Sequence, residues 1–295
     1  MTDLVIYHGG CADGTAAAWC FWRSVLNKDS SKLHYGKFGE NPPDVTGKHV
    51  VFVDFSYSLE IVEHMLLTAA SIKVLDHHKT AIPLGVLIKN PKFTLILDNS
   101  RSGAQIAWDY LNSDMPRPWY IEDIGDRDLW TWKIPESKES TTGMFAMNYY
   151  ESMESFDKLQ NTNRSEFVLG GRAVLSNEER NIQSIVKRAI PCVTKFDKPD
   201  GSPWKVKLVE CEHMQASEVG SRLVADDSCD FAVAFRYDFV KNEWWLSCRA
   251  KSDNFIDLTT ILPNIDKKSG GHAKAAGATI RGYEGFALST FFKPM

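Results

Sequence analysis

The chain has 295 residues, of which 43% are hydrophobic and 24% are charged, and its formal net charge is −4. This length allows two domains or one large one, and the composition is that of an ordinary globular protein. The small negative charge excludes the overall basic field that binds long duplex nucleic acid, so any nucleic-acid substrate is expected to be short or locally held.

Cysteine usage and the amino terminus predict the compartment. The six cysteines form no C-x-x-C pair, which argues against a zinc ribbon and a disulfide framework and favours free thiols in a reducing compartment. The amino terminus shows no signal-peptide pattern, and no apolar stretch approaches the roughly 20 residues of a membrane span. We therefore expect a cytoplasmic protein without membrane association.

Three short apolar runs near the amino terminus predict buried strands, at residues 4–7, 50–53 and 72–75. The first two are followed by segments with helical spacing, at residues 15–26 and 59–70. This order is a βαβαβ unit, in which the parallel strands end at one shared edge of the sheet.

Polar side chains follow each of these strands where it is predicted to end. His8, Cys11 and Asp13 follow the first, Asp54 the second, and an Asp-His-His sequence at residues 76–78 the third. Ligands of open α/β sheets bind at this edge, and one carboxylate with two imidazoles suits a Mn-type or Zn-type ion. A single Asp-His-His is also compatible with a cap or a surface turn, but three such strand ends together predict a metal site.

A further β-rich run at residues 93–97 leads into a Ser-rich turn and a helix with an apolar face from Ala104 to Leu111. Ser100 or Ser102 is expected to cap this helix. The same turn could instead hold a phosphate on the free N–H groups at Ser102 and Gly103. Both interpretations remain open from the sequence.

Residues 119–132 form an acidic segment with more carboxylates than a helix terminus needs. Its acidic residues are Glu122, Asp123, Asp126 and Asp128. This pattern fits either a solvated turn or part of a metal site. Trp130 and Trp132 are expected to be core or wall residues.

The second half of the chain predicts a connector and a β-rich domain. Residues 135–166 are polar, residues 172–189 are helical, and strands are predicted at residues 204–211, 231–237 and 244–250. Trp245, Ser247 and Arg249 share one face of the last strand, so they could stack a base and hold a phosphate or could form an ordinary amphipathic surface. Gly270, Gly271 and His272 are expected to open a short Ala-rich helix whose amino terminus favours an anion.

Together these motifs resemble those of the DHH phosphoesterases, the RecJ-like superfamily. Residues 8–14 (HGGCADG), Asp54, residues 76–78 (DHH) and residues 126–130 (DRDLW) are similar to the four family motifs, in their order. Residues 270–277 (GGHAKAAG) resemble the GGH-x-x-AAG signature of the DHH-associated domain. The resemblance spans nearly the whole chain.

The resemblance implies an α/β fold in which a parallel-sheet N-terminal DHH domain is joined by a helical connector to a smaller mixed α/β C-terminal domain. We place the catalytic domain at residues 1–170, the connector at 171–192 and the substrate-binding domain at 193–295. The active site is expected in the cleft between the domains.

The resemblance also implies a two-metal centre. The expected metal ligands are His8, Cys11, Asp13, Asp54, His77 and Asp126. In this assignment Asp54 is expected to bridge the two ions. His8 and Cys11 would bind one ion, and Asp13, His77 and Asp126 would bind the other. Asp123 is the alternative to Asp126. Mn2+ is the expected metal. Many family members have Asp at the position of Cys11, so Zn2+ or Fe2+ is possible there, as is a hydrophobic role for the thiol.

Two further sets of roles follow from the same resemblance. His78 is expected to face the scissile phosphate as a charge stabiliser or proton donor, and Asp76 to orient the His ligands. The expected substrate-binding residues are Ser102, Arg249, Gly270, Gly271 and His272.

The leading hypothesis is a metal-dependent phosphodiesterase that hydrolyses short oligonucleotides or dinucleotides to mononucleotides by a two-metal mechanism. Three alternatives remain: a single-strand exonuclease on longer DNA or RNA, a small-phosphate phosphatase or pyrophosphatase, and a nucleotide-binding protein with weakened catalysis. A homodimer is one assembly that the sequence leaves open.

Overall fold

The computed structural model describes residues 2–37, 39–225, 227–251, 255–282 and 288–295. The chain divides into two compact units, Met1–Ser176 and Asn177–Met295. Within the described ranges, no helix combines the length and the apolar character that a membrane crossing requires.

The first unit is built on a five-stranded sheet. Its strands are β1 (Leu4–His8), β2 (Leu33–Gly36), β3 (His49–Val53), β4 (Ser71–Asp76) and β5 (Phe93–Leu97). They lie in the order β2-β1-β3-β4-β5, and every neighbouring pair is parallel. The four strands predicted for this region are present. The edge strand β2 was not predicted, because its four residues are too few and too polar to show a clear apolar period.

Helices cover both faces of this sheet. They are α1 (Ala12–Ser24), α2 (Leu59–Thr68), α3 (Gly103–Leu111), α4 (Trp119–Asp128), α5 (Ser137–Ala146), α6 (Met153–Asp157) and α7 (Arg164–Val186), the last of which extends across the division between the units. Val51 and Val53 of β3 pack into one apolar cluster with Trp19 of α1, whereas Val50 and Phe52 pack into a second cluster. Because both faces are buried, polar side chains that serve chemistry are placed at the strand ends.

Helices α5 and α7 approach closely through two glycines. A Cβ atom on Gly171 would lie 1.8 Å from the carbonyl oxygen of Glu139, and one on Gly143 would lie 2.1 Å from that of Phe167. Backbone atoms cannot move aside as a flexible side chain can, so a methyl group at either position forces the two helices apart. The packing of α7 on this unit thus depends on glycine.

Gly171→Ala is expected to lower the free energy of unfolding by about 1–3 kcal/mol, the usual cost of overpacking. Gly170→Ala is the matched control, because a Cβ there meets only the terminal methyl of Met147, at 2.8 Å. That control is expected to leave stability unchanged or to raise it by up to about 1 kcal/mol through helix propensity. Urea unfolding of both variants measures the difference, and equal effects would contradict the proposed helix contact.

The second unit contains a seven-stranded mixed sheet in the order β10-β11-β9-β8-β7-β6-β12. Its elements are β6 (Ile190–Asp197), β7 (Pro203–Glu210), α8 (Ala216–Val224), β8 (Phe231–Asp238), β9 (Glu243–Ala250), α9 (Leu258–Ile261), β10 (Gly270–His272), β11 (Ala275–Arg281) and β12 (Phe292–Pro294). Strands β7 and β8 are parallel and the other pairs are antiparallel. The three strands predicted for this region correspond to β7, β8 and β9.

The helix predicted to open at Gly270 is wrong. This segment forms the β10–β11 hairpin, in which Gly270 pairs with Gly277 and His272 pairs with Ala275. Gly271 has φ +136°, and a Cβ there would lie 2.5 Å from the carbonyl oxygen of Ala275. The alanines suggested a helix by propensity, but pairing of β11 with β9 overrides that weak preference.

The predicted fold class is confirmed: a parallel-sheet α/β unit precedes a smaller mixed α/β unit. The expectation that the active site lies in a cleft between them stays a prediction.

Candidate metal centre

The carboxyl ends of the adjacent strands β1, β3 and β4 bring the predicted polar residues together. His8 ends β1, Asp54 follows β3, and Asp76 ends β4, directly before His77 and His78. Sheet order therefore assembles side chains that are far apart in sequence, as expected for a parallel sheet.

Asp54 lies at the middle of this cluster and is 1% exposed. Its Oδ1 atom lies 3.0 Å from Nε2 of His77 and 3.8 Å from Nδ1 of His78, and its Oδ2 atom lies 3.5 Å from Nδ1 of His8. Two sets of three donor atoms, each set within 4.8 Å, share this carboxylate. The first set is His8, Asp54 and His78, and the second is Asp13, Asp54 and His77.

Asp13 connects α1 to the first turn of α3. Its Oδ2 atom accepts a hydrogen bond from the backbone N–H of Gly103 at 2.6 Å, and its Oδ1 atom accepts one from Ala104 at 3.1 Å. A Cβ on Gly103 would lie 2.4 Å from Cβ of Asp54, so only glycine lets the backbone of α3 come this close. The amino terminus of α3 thereby holds two members of the second donor set in place.

Asp76 holds the two histidines that follow it. Its Oδ1 atom accepts hydrogen bonds from the backbone N–H groups of His77 at 2.8 Å and His78 at 3.1 Å. The same oxygen lies 2.7 Å from Nδ1 of His78, and this contact raises the pKa of His78. Asp76 thus fixes the ring of His78 and the backbone of His77, and its predicted role in orienting the His ligands stays a prediction.

The carboxylates of the cluster repel one another. Burial, followed by the charges of Asp54 and Asp128, raises the pKa of Asp13 well above its usual value. Burial and the charge of Asp54 likewise raise the pKa of Asp128. Burial opposes ionisation of Asp54 as well, but hydrogen bonds from His77 and His8 outweigh it and hold its pKa below the usual value. A divalent cation would relieve this crowding, and mixed carboxylate and imidazole donors suit Mn2+, Fe2+ or Zn2+.

Asp128, rather than Asp126, is the acidic residue of α4 that reaches the cluster. Oδ2 of Asp128 lies 3.4 Å from Nε2 of His77. Asp126 instead accepts hydrogen bonds from the hydroxyls of Thr131 and Ser137 and from the backbone N–H groups of Lys133 and Ile134. The structure therefore does not support Asp126 as the metal ligand, because its carboxylate is engaged by its own loop.

The alternative, Asp123, is engaged elsewhere as well. It is 1% exposed, and its carboxylate accepts hydrogen bonds from Nε of Arg164 at 2.7 Å and from Nη2 of Arg164 at 3.1 Å. It also accepts one from the hydroxyl of Ser140. Helix phase could have identified Asp128 from the sequence, because it follows the buried Ile121 and Ile124 at spacings of seven and four residues.

Paired variants separate the roles of the two aspartates. Asp126→Asn is expected to lower the free energy of unfolding by about 2–4 kcal/mol, since it removes a charged acceptor and leaves buried donors unsatisfied. Asp128→Asn is expected to preserve stability and to weaken Mn2+ binding, measured by calorimetry. A stable Asp126→Asn protein that has lost Mn2+ binding would instead support the sequence-based assignment.

Cys11 lies at the start of α1 but belongs to neither donor set among the described residues. Burial, with the charges of Asp54 and Asp13 added, raises the pKa of the Cys11 thiol to about 12. Both interpretations of Cys11, as a ligand and as a hydrophobic residue, stay predictions, because a bound cation would itself deprotonate a coordinating thiol.

Ser102 caps α3 and is fully buried. Its hydroxyl accepts from the backbone N–H of Gln105 at 3.4 Å, and its own N–H donates to Oε1 of Gln105 at 3.1 Å. Because Asp13 already occupies the N–H groups of Gly103 and Ala104, the structure does not support a substrate phosphate at Ser102.

The other predicted substrate-binding residues lie in the second unit. Arg249 of β9 and His272 of β10 both pair with Ala275 of β11, so they share one face of the sheet at a separation of roughly 10 Å, two strand spacings. Nη2 of Arg249 donates to the hydroxyl of Ser217 at 3.0 Å, and its stem packs on Gly220 of α8. Gly270, Gly271 and His272 are exposed. The structure thus brings these residues near one another, and their role stays a prediction.

Solved structures with similar folds identify the architecture. The pGpG-specific phosphodiesterase PggH from Vibrio cholerae matches with a TM-score of 0.55 and 14% sequence identity, over 97% of this chain and 96% of that chain. This is the fold of the DHH phosphoesterases. The predicted DHH resemblance is therefore confirmed at the level of the fold.

Two further comparisons are weaker. The DHH domain of a protein described as a member of a ribosomal-protein family has a TM-score of 0.48 and 13% identity, over 98% of this chain and 85% of that chain. An uncharacterized protein of Acanthamoeba polyphaga mimivirus, R106, is 27% identical over 304 residues, which cover 97% of this chain and 69% of R106. No protein-family model matches the sequence.

Proposed function

We propose that this protein is a metal-dependent phosphodiesterase that hydrolyses dinucleotides or short oligonucleotides to mononucleotides. The observation that carries the proposal is the pair of donor sets that share Asp54 at the carboxyl edge of a parallel sheet. A shared carboxylate between two sets is the arrangement needed to hold two cations close together.

The proposed ligands follow from the contacts. His8 and Asp54 would hold one ion, and Asp13, Asp54 and His77 the other, with Asp128 replacing Asp126 as the additional carboxylate. When bound, a pair of divalent cations supplies Lewis acidity and a water that ionises near neutral pH. The mixed nitrogen and oxygen donors favour Mn2+, and Zn2+ or Fe2+ is the alternative near Cys11.

The chain's own residues position these groups and the substrate. Asp76 fixes the ring of His78 through Nδ1, so that His78 either faces the scissile phosphate, as predicted, or completes the first donor set. Asp13 and Gly103 keep the second donor set rigid through the amino terminus of α3. We propose that Arg249 and His272 of the second unit bind the substrate. We also propose that the protein is cytoplasmic.

A dinucleotide is the preferred substrate for two reasons. The net charge of −4 provides no overall attraction for a long polyanion. PggH, whose fold is similar, is described as specific for pGpG.

Turnover of a 5′-phosphorylated dinucleotide and of a longer single strand by the purified protein tests the proposal, with Mn2+, with Zn2+ and with EDTA. Mononucleotide release that requires metal and is faster from the dinucleotide is expected. A rate that rises with strand length would favour the exonuclease alternative. Metal-dependent phosphate release from pyrophosphate, without cleavage of either nucleic acid, would favour the pyrophosphatase alternative. No product under any metal would overturn the hydrolase proposal.

A further inference from the structure

A cavity of about 320 Å3 in the first unit adjoins the metal centre on the side of α4. Asp13 and Asp128 of the cluster line it, together with Trp130, Phe145 and Arg127. Its volume lies at the lower end of small-molecule sites, which span roughly 300–1,000 Å3. A group bound here would therefore be in contact with carboxylates of the centre and with aromatic rings at the same time.

Trp130 is unusually placed for an aromatic residue. It is 72% exposed, although an indole ring normally gains from burial, and its edge-to-face contact with Trp132 has a centroid distance of 4.9 Å. Both residues have positive φ values, 55° and 49°, a backbone conformation that is rare for bulky side chains. Strained conformations of this kind persist where the surrounding structure enforces them, and they cluster at ligand sites.

The loop that carries Trp130 is fixed by hydrogen bonds. The backbone N–H of Trp130 donates to the carbonyl of Arg127 at 3.0 Å, and that of Thr131 donates to the carbonyl of Asp126 at 3.0 Å. The carboxylate of Asp126 accepts hydrogen bonds from the hydroxyl of Thr131 and from the backbone N–H of Lys133. Asp126 thus anchors the turn that presents the indole ring beside Asp128.

Phe145 and Arg127 line the same cavity as Trp130. The ring of Phe145 is 41% exposed, and the guanidinium carbon of Arg127 lies 4.5 Å from its centroid. Exposed aromatic faces bind flat, conjugated rings, and every nucleobase has such a face. The guanidinium of Arg127, which lines the same cavity, is a group that binds phosphate through charge-assisted hydrogen bonds.

We propose that Trp130 stacks the nucleobase of the nucleotide whose phosphate lies at the metal centre. The inference rests on the proposed function and deepens it, because it assigns base recognition to a residue of the first unit. Inorganic phosphate and pyrophosphate have no ring to place on this surface. The substrate class is therefore a nucleotide ester rather than an inorganic phosphate.

Binding of adenosine 5′-monophosphate and ribose 5-phosphate, measured by calorimetry on the full chain with Mn2+, tests this assignment without turnover. These two probes differ only in the base. Stacking predicts that the wild-type protein binds the nucleotide about 10-fold more tightly, within the roughly 5- to 150-fold range of one base stacked on an aromatic ring. Trp130→Ala is expected to reduce that ratio to about 1 and Trp130→Phe to keep most of it.

Phe239→Ala is the matched control, because Phe239 is an aromatic residue of the second unit that is 84% exposed. It is expected to keep the wild-type ratio. The inference is overturned if Trp130→Ala keeps that ratio, if the wild-type protein shows no preference for the nucleotide, or if it binds no nucleotide at all. A ratio that depends on Trp130 in a protein without hydrolysis would support the stacking site and reject the proposed activity, so the two failures are distinguishable.

Discussion

Replacing Asp54 with Asn is expected to lower metal-dependent cleavage of a dinucleotide by at least about 10³-fold, the equivalent of several kcal/mol of lost metal-based stabilisation. Asp54 is the carboxylate that both donor sets share, so its loss weakens both cation sites at once. Asn has the same shape and tolerates the backbone conformation at this position, where φ is 53°. The substitution therefore changes charge and leaves packing beside Gly103 intact.

A thermal measurement separates metal binding from catalysis. Mn2+ is expected to raise the melting temperature of the wild-type protein, because an ion that binds only the folded state stabilises it, and to leave that of Asp54→Asn unchanged. Asp114→Asn is the control, since it removes an exposed carboxylate of the same unit. Full activity in Asp54→Asn would show that Asp54 is not required for the reaction. Retained stabilisation by Mn2+ would show that the ions bind elsewhere.

Replacing Arg164 with Leu is expected to lower the free energy of unfolding by about 3–5 kcal/mol, because it leaves the carboxylate of Asp123 buried without a cation. Asp123 is 1% exposed, and Arg164 contacts both of its oxygens, at 2.7 and 3.1 Å. The hydroxyl of Ser140 remains but carries no charge. Denaturant unfolding, followed by circular dichroism, measures the effect.

Two variants test this explanation. Arg172→Leu removes a second arginine of α7, whose partner Glu136 is 41% exposed, and is expected to cost less than about 1 kcal/mol. Adding Asp123→Asn to Arg164→Leu removes the buried charge and should recover part of the lost stability. If the double variant is no more stable than Arg164→Leu, the loss comes from packing of the arginine stem rather than from the unpaired carboxylate.

The strand ends of the first unit could be predicted from the sequence because one physical pattern marks them. Short apolar runs must be buried, and the polar residues that interrupt them must surface at the sheet edge. His8, Asp54 and His77 therefore meet as expected. No comparable pattern marks β2, whose four residues pair with β1 and with no other strand of the described ranges.

The differences between the structure and the sequence-based expectations have physical causes that the sequence does not display directly. Two aspartates two positions apart on a helix point in nearly opposite directions, so Asp126 and Asp128 cannot both face the centre. The motif at residues 126–130 favours Asp126 as the ligand. In the structure, however, the loop at residues 131–137 donates hydrogen bonds to the carboxylate of Asp126. The segment that begins at Gly270 adopts a hairpin because its second strand, β11, pairs with β9. Strand β9, which carries Arg249, precedes it in the sequence, so local residue preferences do not reveal this pairing.

The contact between Asp13 and the first turn of α3 has a consequence for the apoprotein. Backbone amides of α3 hold this carboxylate beside Asp54, and Asp76 accepts hydrogen bonds from the backbone amides of the two histidines. A zinc finger, by contrast, unfolds when its ion leaves, because the ion supplies the folding energy. A chelator is therefore expected to remove the metal without unfolding the first unit. Returning the metal is then expected to restore metal binding without a refolding step.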